Sequence, residues 1–204
     1  MQTEIILSGF GGQGMLFAGQ LLAYAALDAG KHVTWFPSYG PEMRGGTAHC
    51  VVIVSDDEIG SPIVRNPVAV IVMNLPSLDK YESLVRSGGT LVVNASLVDR
   101  APSRADVDSA MVPAISIAEE IGDKRLANLV MLGALLERRP VLTAEAVREA
   151  LDKHIPERHR NLLKANYTAL ERGAEAARRE AATNGRRDHD GAGVREAAGG
   201  TRAT

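Results

Sequence analysis

Apolar and polar positions fall into two rhythms along the chain. Residues 4–8 (EIILS) form a short, almost wholly apolar run of the kind a buried strand leaves, followed by a glycine-rich turn at 9–14. From 15 to 29 the small and apolar residues recur at helical spacing, with Leu16, Gly19, Leu22, Ala23 and Ala26 on one face and Gly30 placed as a left-handed cap. Residues 32–36 and 47–54 (TAHCVVIV) read as a second and third strand. Between them, residues 37–46 (PSYGPEMRGG) hold two prolines and three glycines, which makes them a loop of special backbone geometry. Residues 55–62 are an acidic turn region.

The run at 68–73 is apolar throughout, as expected of a strand covered on both faces. A helix is predicted over 76–86, opened by Pro76 and closed by Gly88 and Gly89. Strands follow at 90–94 and, more weakly, at 110–115, where Pro113 points to an edge or a bulge. From residue 116 the spacing is helical, over 116–121, 124–138, 143–154 and 158–173. The apolar stretch 127–136 should pack on the sheet, and Thr143 suits an N-cap. This order predicts an α/β fold: three αβα layers around a mostly parallel sheet, with a Rossmann-like opening and C-terminal helices.

Beyond Leu170 the core-forming residues stop. Residues 171–204 contain no Leu, Ile, Met or aromatic, and Val194 is their one Val. Such composition buries too little apolar surface to offset chain entropy. The predicted division is a folded domain at 1–173 and an Ala/Gly/Arg-rich tail at 174–204. In that tail, 174–182 extends the last helix and 183–204 is disordered or wraps a partner.

Composition narrows the function. The net charge of −2 over 204 residues lacks the basic footprint of a nucleic-acid binder. No apolar run reaches the roughly 18–20 residues of a membrane span, and the opening residues lack a basic leader, so a cytoplasmic protein is expected. The single cysteine, Cys50, excludes an internal disulfide and an iron–sulfur cluster held by this chain alone. Cys50 follows His49, but strand neighbours point to opposite faces, so the thiol reads as a small buried hydrophobe. The five histidines are scattered, and no metal-spaced cluster or Ser/His/Asp arrangement is present. Glycines and aromatics crowd the start: nine of 20 glycines lie between Gly9 and Gly46, and six of the eight aromatics lie in the first 40 residues.

Within that region Gly9, Gly11 and Gly14 form a G-x-G-x-x-G pattern between strand and helix. In such a pattern the first glycine turns the chain, the second admits a ligand to the backbone, and the third lets helix and strand pack closely. Free amides at the start of the following helix attract an anion, usually a phosphate. The acidic residue that binds a dinucleotide ribose is missing: the second strand ends Trp35-Phe36-Pro37-Ser38. No Gly-Lys-Ser/Thr follows the loop, so it is not a P-loop. The second loop, at 38–46, should leave the same sheet edge. There Arg44 is an anion partner, Ser38 and Tyr39 offer hydroxyls, and Glu42 either pairs with Arg44 or stays free. The alternative is that the glycines of both loops only make tight turns.

The paired loops, GFGGQG and SYGPEMRGG, resemble the gamma subunit of the 2-oxoacid:ferredoxin (acceptor) oxidoreductases. The resemblance continues through residues 47–51, 55–62, 73–80 and 127–134, and covers roughly residues 3–172. It implies an enzyme complex that converts a 2-oxoacid, CoA and oxidised ferredoxin into acyl-CoA, carbon dioxide and reduced ferredoxin. The thiamine diphosphate, Mg and iron–sulfur clusters would reside in partner subunits (alpha, beta and a ferredoxin-like delta), and this chain would contribute CoA handling and assembly. Matched position by position, Gly9, Gly11, Gly12, Gln13 and Gly14 fall on the first motif; Ser38, Tyr39, Gly40, Pro41, Glu42, Arg44, Gly45 and Gly46 fall on the second. With Phe10 beside the first loop, the expected ligand contacts are Gly9, Phe10, Gly11, Gly12, Gln13, Gly14, Ser38, Tyr39, Arg44 and Gly45. No catalytic and no metal-ligating residue is expected in the chain. The motif forms look closest to 2-oxoglutarate or branched-chain enzymes, with pyruvate and aryl oxoacids as alternatives. A purely structural interface subunit is a further reading, and a stand-alone oxidoreductase binding NAD or flavin is another.

Overall fold

The computed structural model describes residues 1–38 and 47–196, with side chains described through residue 183. One sheet carries six strands, β1 (Gln2–Phe10), β2 (His32–Pro37), β3 (Thr47–Ser55), β4 (Ala69–Val72), β5 (Thr90–Asn94) and β6 (Asp108–Val112), in the order β2-β3-β1-β4-β5-β6. The helices are α1 (Met15–Asp28), α2 (Leu75–Tyr81), α3 (Ala114–Ile121), α4 (Ala127–Arg138), α5 (Ala144–His154) and α6 (Leu163–Glu196).

Five strands run one way, and only β3 is reversed, pairing antiparallel with both β1 and β2. The cause is the short connection between Pro37 and Thr47. A parallel neighbour needs a crossover of about a dozen residues or more, whereas a shorter link returns as a hairpin. The chain leaves β1 through α1 on one face and β4 through α2 on the other, because their buried residues belong to separate core clusters. The carboxyl ends of β1 and β4 therefore flank the point where the winding direction changes. In open α/β sheets that crevice is where ligands bind.

The two helical layers are unequal. Strand residues Ile5, Leu7, Cys50, Val52, Ile71 and Val92 pack under α1 and α4 in the larger cluster. On the other face α2 and a 3-10 turn (Glu82–Leu84) cover Ile6, Val70, Val72, Leu91 and Val93. Phe36 on β2, outside both clusters, is 62% exposed.

Most predicted elements appear with shifted ends. β1 is longer than the apolar run at 4–8, because edge residues of a strand need not be apolar. The helix expected over 76–86 stops at Tyr81 and tightens into the 3-10 turn. β6 is an edge strand, as Pro113 suggested, but it ends at Val112 and Pro113 itself heads α3. The helix predicted from 124 begins as a 3-10 turn (Lys124–Leu126), and the one from 158 likewise (Glu157–Leu162). Gly30 closes α1 in a Schellman motif: its N–H reaches Leu27 O at 3.0 Å and Lys31 N–H reaches Ala26 O at 3.0 Å.

The last helix runs across the expected boundary at 173/174, as the reading of 174–182 as its extension implies. α6 continues unbroken to Glu196, and Ala177 is fully buried in the main cluster. Small residues are what the packing requires there. A Cβ on Gly133 of α4 would overlap the backbone carbonyl of Leu170 in α6, and a Cβ on Gly173 would overlap that of Val130. The helices meet backbone to backbone, which a composition count based on large apolar residues overlooks. Beyond the crossing, Arg178 pairs with Glu137 at 2.6 Å, and Arg138 binds both Asp108 and Glu180.

Candidate functional site

The turn between β1 and α1 lies in the crevice at the winding reversal. Its left-handed residues are Gly12 (φ 91°) and Gly14 (φ 75°), so these two make the turn that the sequence reading gave to Gly9. Gly9 has a packing role instead. A Cβ there would sit 2.6 Å from Gln13 Oε1 and 2.9 Å from Met73 Cβ at the end of β4.

Gln13 turns its carbonyl inward. Its Oε1 accepts from Phe10 N at 2.6 Å and from Asn74 Nδ2 at 3.2 Å, while Gln13 N donates to Phe10 O at 3.2 Å. Gln13 is thus the clasp of the loop and ties it to the end of β4. Asn74 also caps α2, accepting from Ser77 N at 2.9 Å. Beneath them, Ser8 Oγ donates to Ser77 Oγ at 3.0 Å. On the other side Asn128 Nδ2 of α4 donates to Gly14 O at 3.1 Å, and a Cβ on Gly14 would overlap that amide. Sequence reasoning missed Asn74 and Asn128. The signal for Asn128 was present: a lone amide inside the most apolar helix of the chain.

With the loop held this way, the first amides of α1 point into the crevice. Gly14 occupies the N-cap and supplies no side-chain cap, and the first turn of α1 has no acidic residue. The N–H groups of Met15, Leu16 and Phe17 therefore have no helical partner, and none bonds elsewhere among the described residues. Together with the helix dipole they form a site receptive to an anion.

Cys50 lies under this turn, fully buried, with Sγ 3.4 Å from Met15 O; burial pushes its thiol up to about 12. His49 faces the other way, with its ring 5.8 Å from that of Tyr81. The thiol and the imidazole are separated by the sheet, as strand alternation requires. Among the described residues no group of three or more His, Cys, Asp or Glu is placed to hold a metal ion.

The second loop starts at the same edge. β1 and β2 run in the same direction, so Pro37 and Phe10 both point toward it, although reversed β3 lies between them. Ser38 N donates to His49 O at 2.9 Å. Tyr39, Gly40, Pro41, Glu42, Arg44, Gly45 and Gly46 lie outside the described residues. Phe10, 39% exposed, lies beside the crevice.

Known proteins share this fold. The model of the pyruvate ferredoxin/flavodoxin oxidoreductase family matches residues 4–176. The chain belongs to that family. It is 37% identical over 179 residues to ketoisovalerate oxidoreductase subunit VorA of Methanothermobacter marburgensis, covering 87% of this chain and 37% of that one. The chain thus spans little more than a third of that relative. It is 38% identical over 182 residues to 2-oxoglutarate synthase subunit KorC of Methanocaldococcus jannaschii, covering 87% of this chain and 95% of the relative. The fold matches the gamma subunit of a keto/oxoacid ferredoxin oxidoreductase from Geobacter sulfurreducens with a TM-score of 0.78 and 31% identity, over 88% of this chain and 98% of that one. The family's α/β architecture, with its mostly parallel sheet, is the one predicted.

Proposed function

We propose that this family member is the gamma subunit of a thiamine-diphosphate-dependent 2-oxoacid:ferredoxin oxidoreductase, that the oxoacid is 2-oxoglutarate, and that this chain binds CoA. The observation that carries the reading is the cradle of unpartnered amides at the winding reversal, built by Gly12 and Gly14 and braced by Gln13, Asn74 and Asn128. Backbone N–H groups at a helix start suit phosphate oxygens, and CoA is the phosphate-bearing substrate of such a reaction. Arg44 on the neighbouring loop would add a bidentate cation.

The likeness to a 2-oxoglutarate synthase subunit supports the choice of oxoacid. A branched-chain oxoacid is the alternative, supported by the ketoisovalerate relative; pyruvate and aryl oxoacids follow it. Alpha and beta subunits would hold thiamine diphosphate and Mg, and with a ferredoxin-like delta subunit the iron–sulfur clusters; ferredoxin would accept the electrons. Thiamine diphosphate supplies the decarboxylation chemistry. The part of this chain is to grip CoA, orient it and fix it against the partners. No helix among the described residues is long and apolar enough to cross a membrane, which agrees with a cytoplasmic complex.

The test is steady-state kinetics on the assembled complex. Gly12→Ala forces a side chain into left-handed backbone, and Arg44→Ala removes the cation. Each should raise the KM for CoA at least several-fold and leave the KM for the oxoacid near its parent value. Unchanged KM values for CoA in both variants would remove this chain from CoA binding and leave the interface role alone.

A further inference from the structure

Exposed apolar side chains gather at one edge of the sheet. Phe10, Phe36, Leu75 and Leu97 are all exposed, and each lies at the carboxyl end of a different strand: β1, β2, β4 and β5 in turn. They also share a side. Val51 pairs with both Ile6 and Phe36, so Phe36 points to the same face as Ile6, and strand alternation brings Phe10 to that face too. Leu75 opens α2, and Val98, next to Leu97, packs in the cluster that α2 covers. In the order β2-β3-β1-β4-β5 the residues form a strip across the sheet, about 19 Å from end to end at the usual strand spacing.

The strip is bare at its β2 end. The cluster on this side includes no residue of β2 and takes Val51 of β3 only at its margin. A sheet face left to water is normally polar, yet Phe36 stands on this one. Single exposed apolar residues are ordinary, whereas a contiguous row marks an interaction surface.

Charge distribution is a second, independent observation. Residues 9–18, 36–38, 73–78, 94–98 and 112–118, which make up the described carboxyl edge, hold no Asp, Glu, Lys, Arg or His, in a chain that is 24% charged. The amino edge is the opposite. There the amino terminus and Lys31 pair with Asp56, Arg86 with Glu4, and Arg104 with Asp106. Aromatic and aliphatic side chains in surroundings depleted of charge are the composition of a buried interface core.

We infer that this strip is where the subunit that holds thiamine diphosphate docks, an inference that rests on the reading above. A ligand in the crevice must meet a reactive group from another chain. The strip borders the crevice directly: Phe10 N and Nδ2 of Asn74, the neighbour of Leu75, both donate to Gln13 Oε1. A partner on the strip therefore brings its own atoms to the crevice mouth. A second copy seated there would shut the mouths of both. A ferredoxin-like redox partner binds transiently and is steered by charge, which the strip lacks. In the ketoisovalerate relative the matching part is 37% of a longer chain, so a fold of this family there has a permanent neighbour, the kind of association that apolar interfaces serve.

Photo-cross-linking of the assembled complex tests the surface, with p-benzoylphenylalanine placed at position 36 or 97. Ile63, exposed beside Gln2 and Arg86 at the amino edge, is the control position. Cross-links from 36 and 97 to the thiamine-diphosphate subunit are expected, with none to it from 63. Phe36→Glu combined with Leu97→Glu should raise the dissociation constant of this chain from the complex at least tenfold, read by mass photometry on dilution, and Ile63→Glu should not. A parent-like circular dichroism spectrum of the doubly substituted chain separates a docking fault from a folding fault. Cross-links to a second copy or to the ferredoxin-like subunit instead, or equal cross-linking from 63, overturn the inference, as does parent-like dissociation of the double variant. The two readings fail separately. Gly12→Ala raising the KM for CoA in a complex without these cross-links refutes the docking surface alone. The cross-links in a complex whose KM for CoA ignores both Gly12→Ala and Arg44→Ala refute CoA binding alone.

Discussion

Replacing Gly173 by alanine should destabilise the protein, against the rule for helix interiors. In an exposed helix, Gly→Ala gains about 1 kcal/mol from propensity. At Gly173 the new Cβ would lie on the carbonyl of Val130, a backbone atom of α4 that cannot rotate away. Ordinary van der Waals contact begins near 3.4 Å, so α4 and α6 would have to part by about 1 Å or more along a face that includes Leu129, Leu136, Ala169 and Ala177. Overpacking of this kind costs typically 1–3 kcal/mol, and more where backbone is struck. The net loss should be about 2 kcal/mol, or a fall of roughly 4–8 °C in Tm for a domain of this size. Chemical denaturation should show a lower midpoint at an unchanged slope. Gly133→Ala should behave alike, because it strikes Leu170 at the same crossing. Once one substitution has parted the helices the second meets less resistance, so the double variant should lose less than the sum. A Gly173→Ala protein as stable as its parent, or more stable, would show that the crossing is looser than described and refute the reasoning.

Three further outcomes follow from the site and its surroundings. Asn74→Ala removes the cap of α2 and the link to Gln13, so it should cost about 1 kcal/mol in denaturation and raise the KM for CoA of the complex. Cys50, its thiol pushed up to about 12 by burial, should resist iodoacetamide at pH 8 in the native protein and react only on unfolding, as read by mass spectrometry. Asp28 joins α1 to α5 through Lys153 and His154, each at 2.8 Å, and its bond to Lys153, chiefly, lowers its pKa below 3.8. A carboxylate depressed on folding stabilises above its unfolded pKa and loses that contribution as pH falls through the folded one. Asp28→Asn should therefore lower Tm at pH 7, and the gap to the parent should close as the pH falls through the lowered pKa of Asp28.

The α/β class, the glycine turn and the place of the second loop were legible because apolar runs, helical spacing and glycine clusters are local signals. β4 could be read as central from its unbroken apolar run, and the Gly30 cap from one residue. The reversal of β3 was not read, since the consequence of a short link appears only once strand partners are assigned. The extent of α6 was hidden for a different reason. Gly133, Gly173 and Ala177 serve the core by being small, and a count of large apolar residues scores them as nothing. Gln13, expected from the sequence as a ligand contact, also closes the loop with its carbonyl, a role that depends on Asn74, sixty-one residues away.

The central place of β1 has a consequence for how the chain matures. β1 is the earliest strand, yet its partners are β3 and β4, and Ile5 pairs with Ala69, sixty-four residues later. At about 5–20 residues per second of synthesis, the run from Ile5 to Leu7 waits roughly 3–13 s before the partner of its second edge, β4, has been made. Only a long-range closure then pairs it, and such closures are slow and invite intermolecular pairing. Yield of soluble protein should thus depend on translation speed through residues 47–72 and on trigger-factor-like holdases more than on final stability.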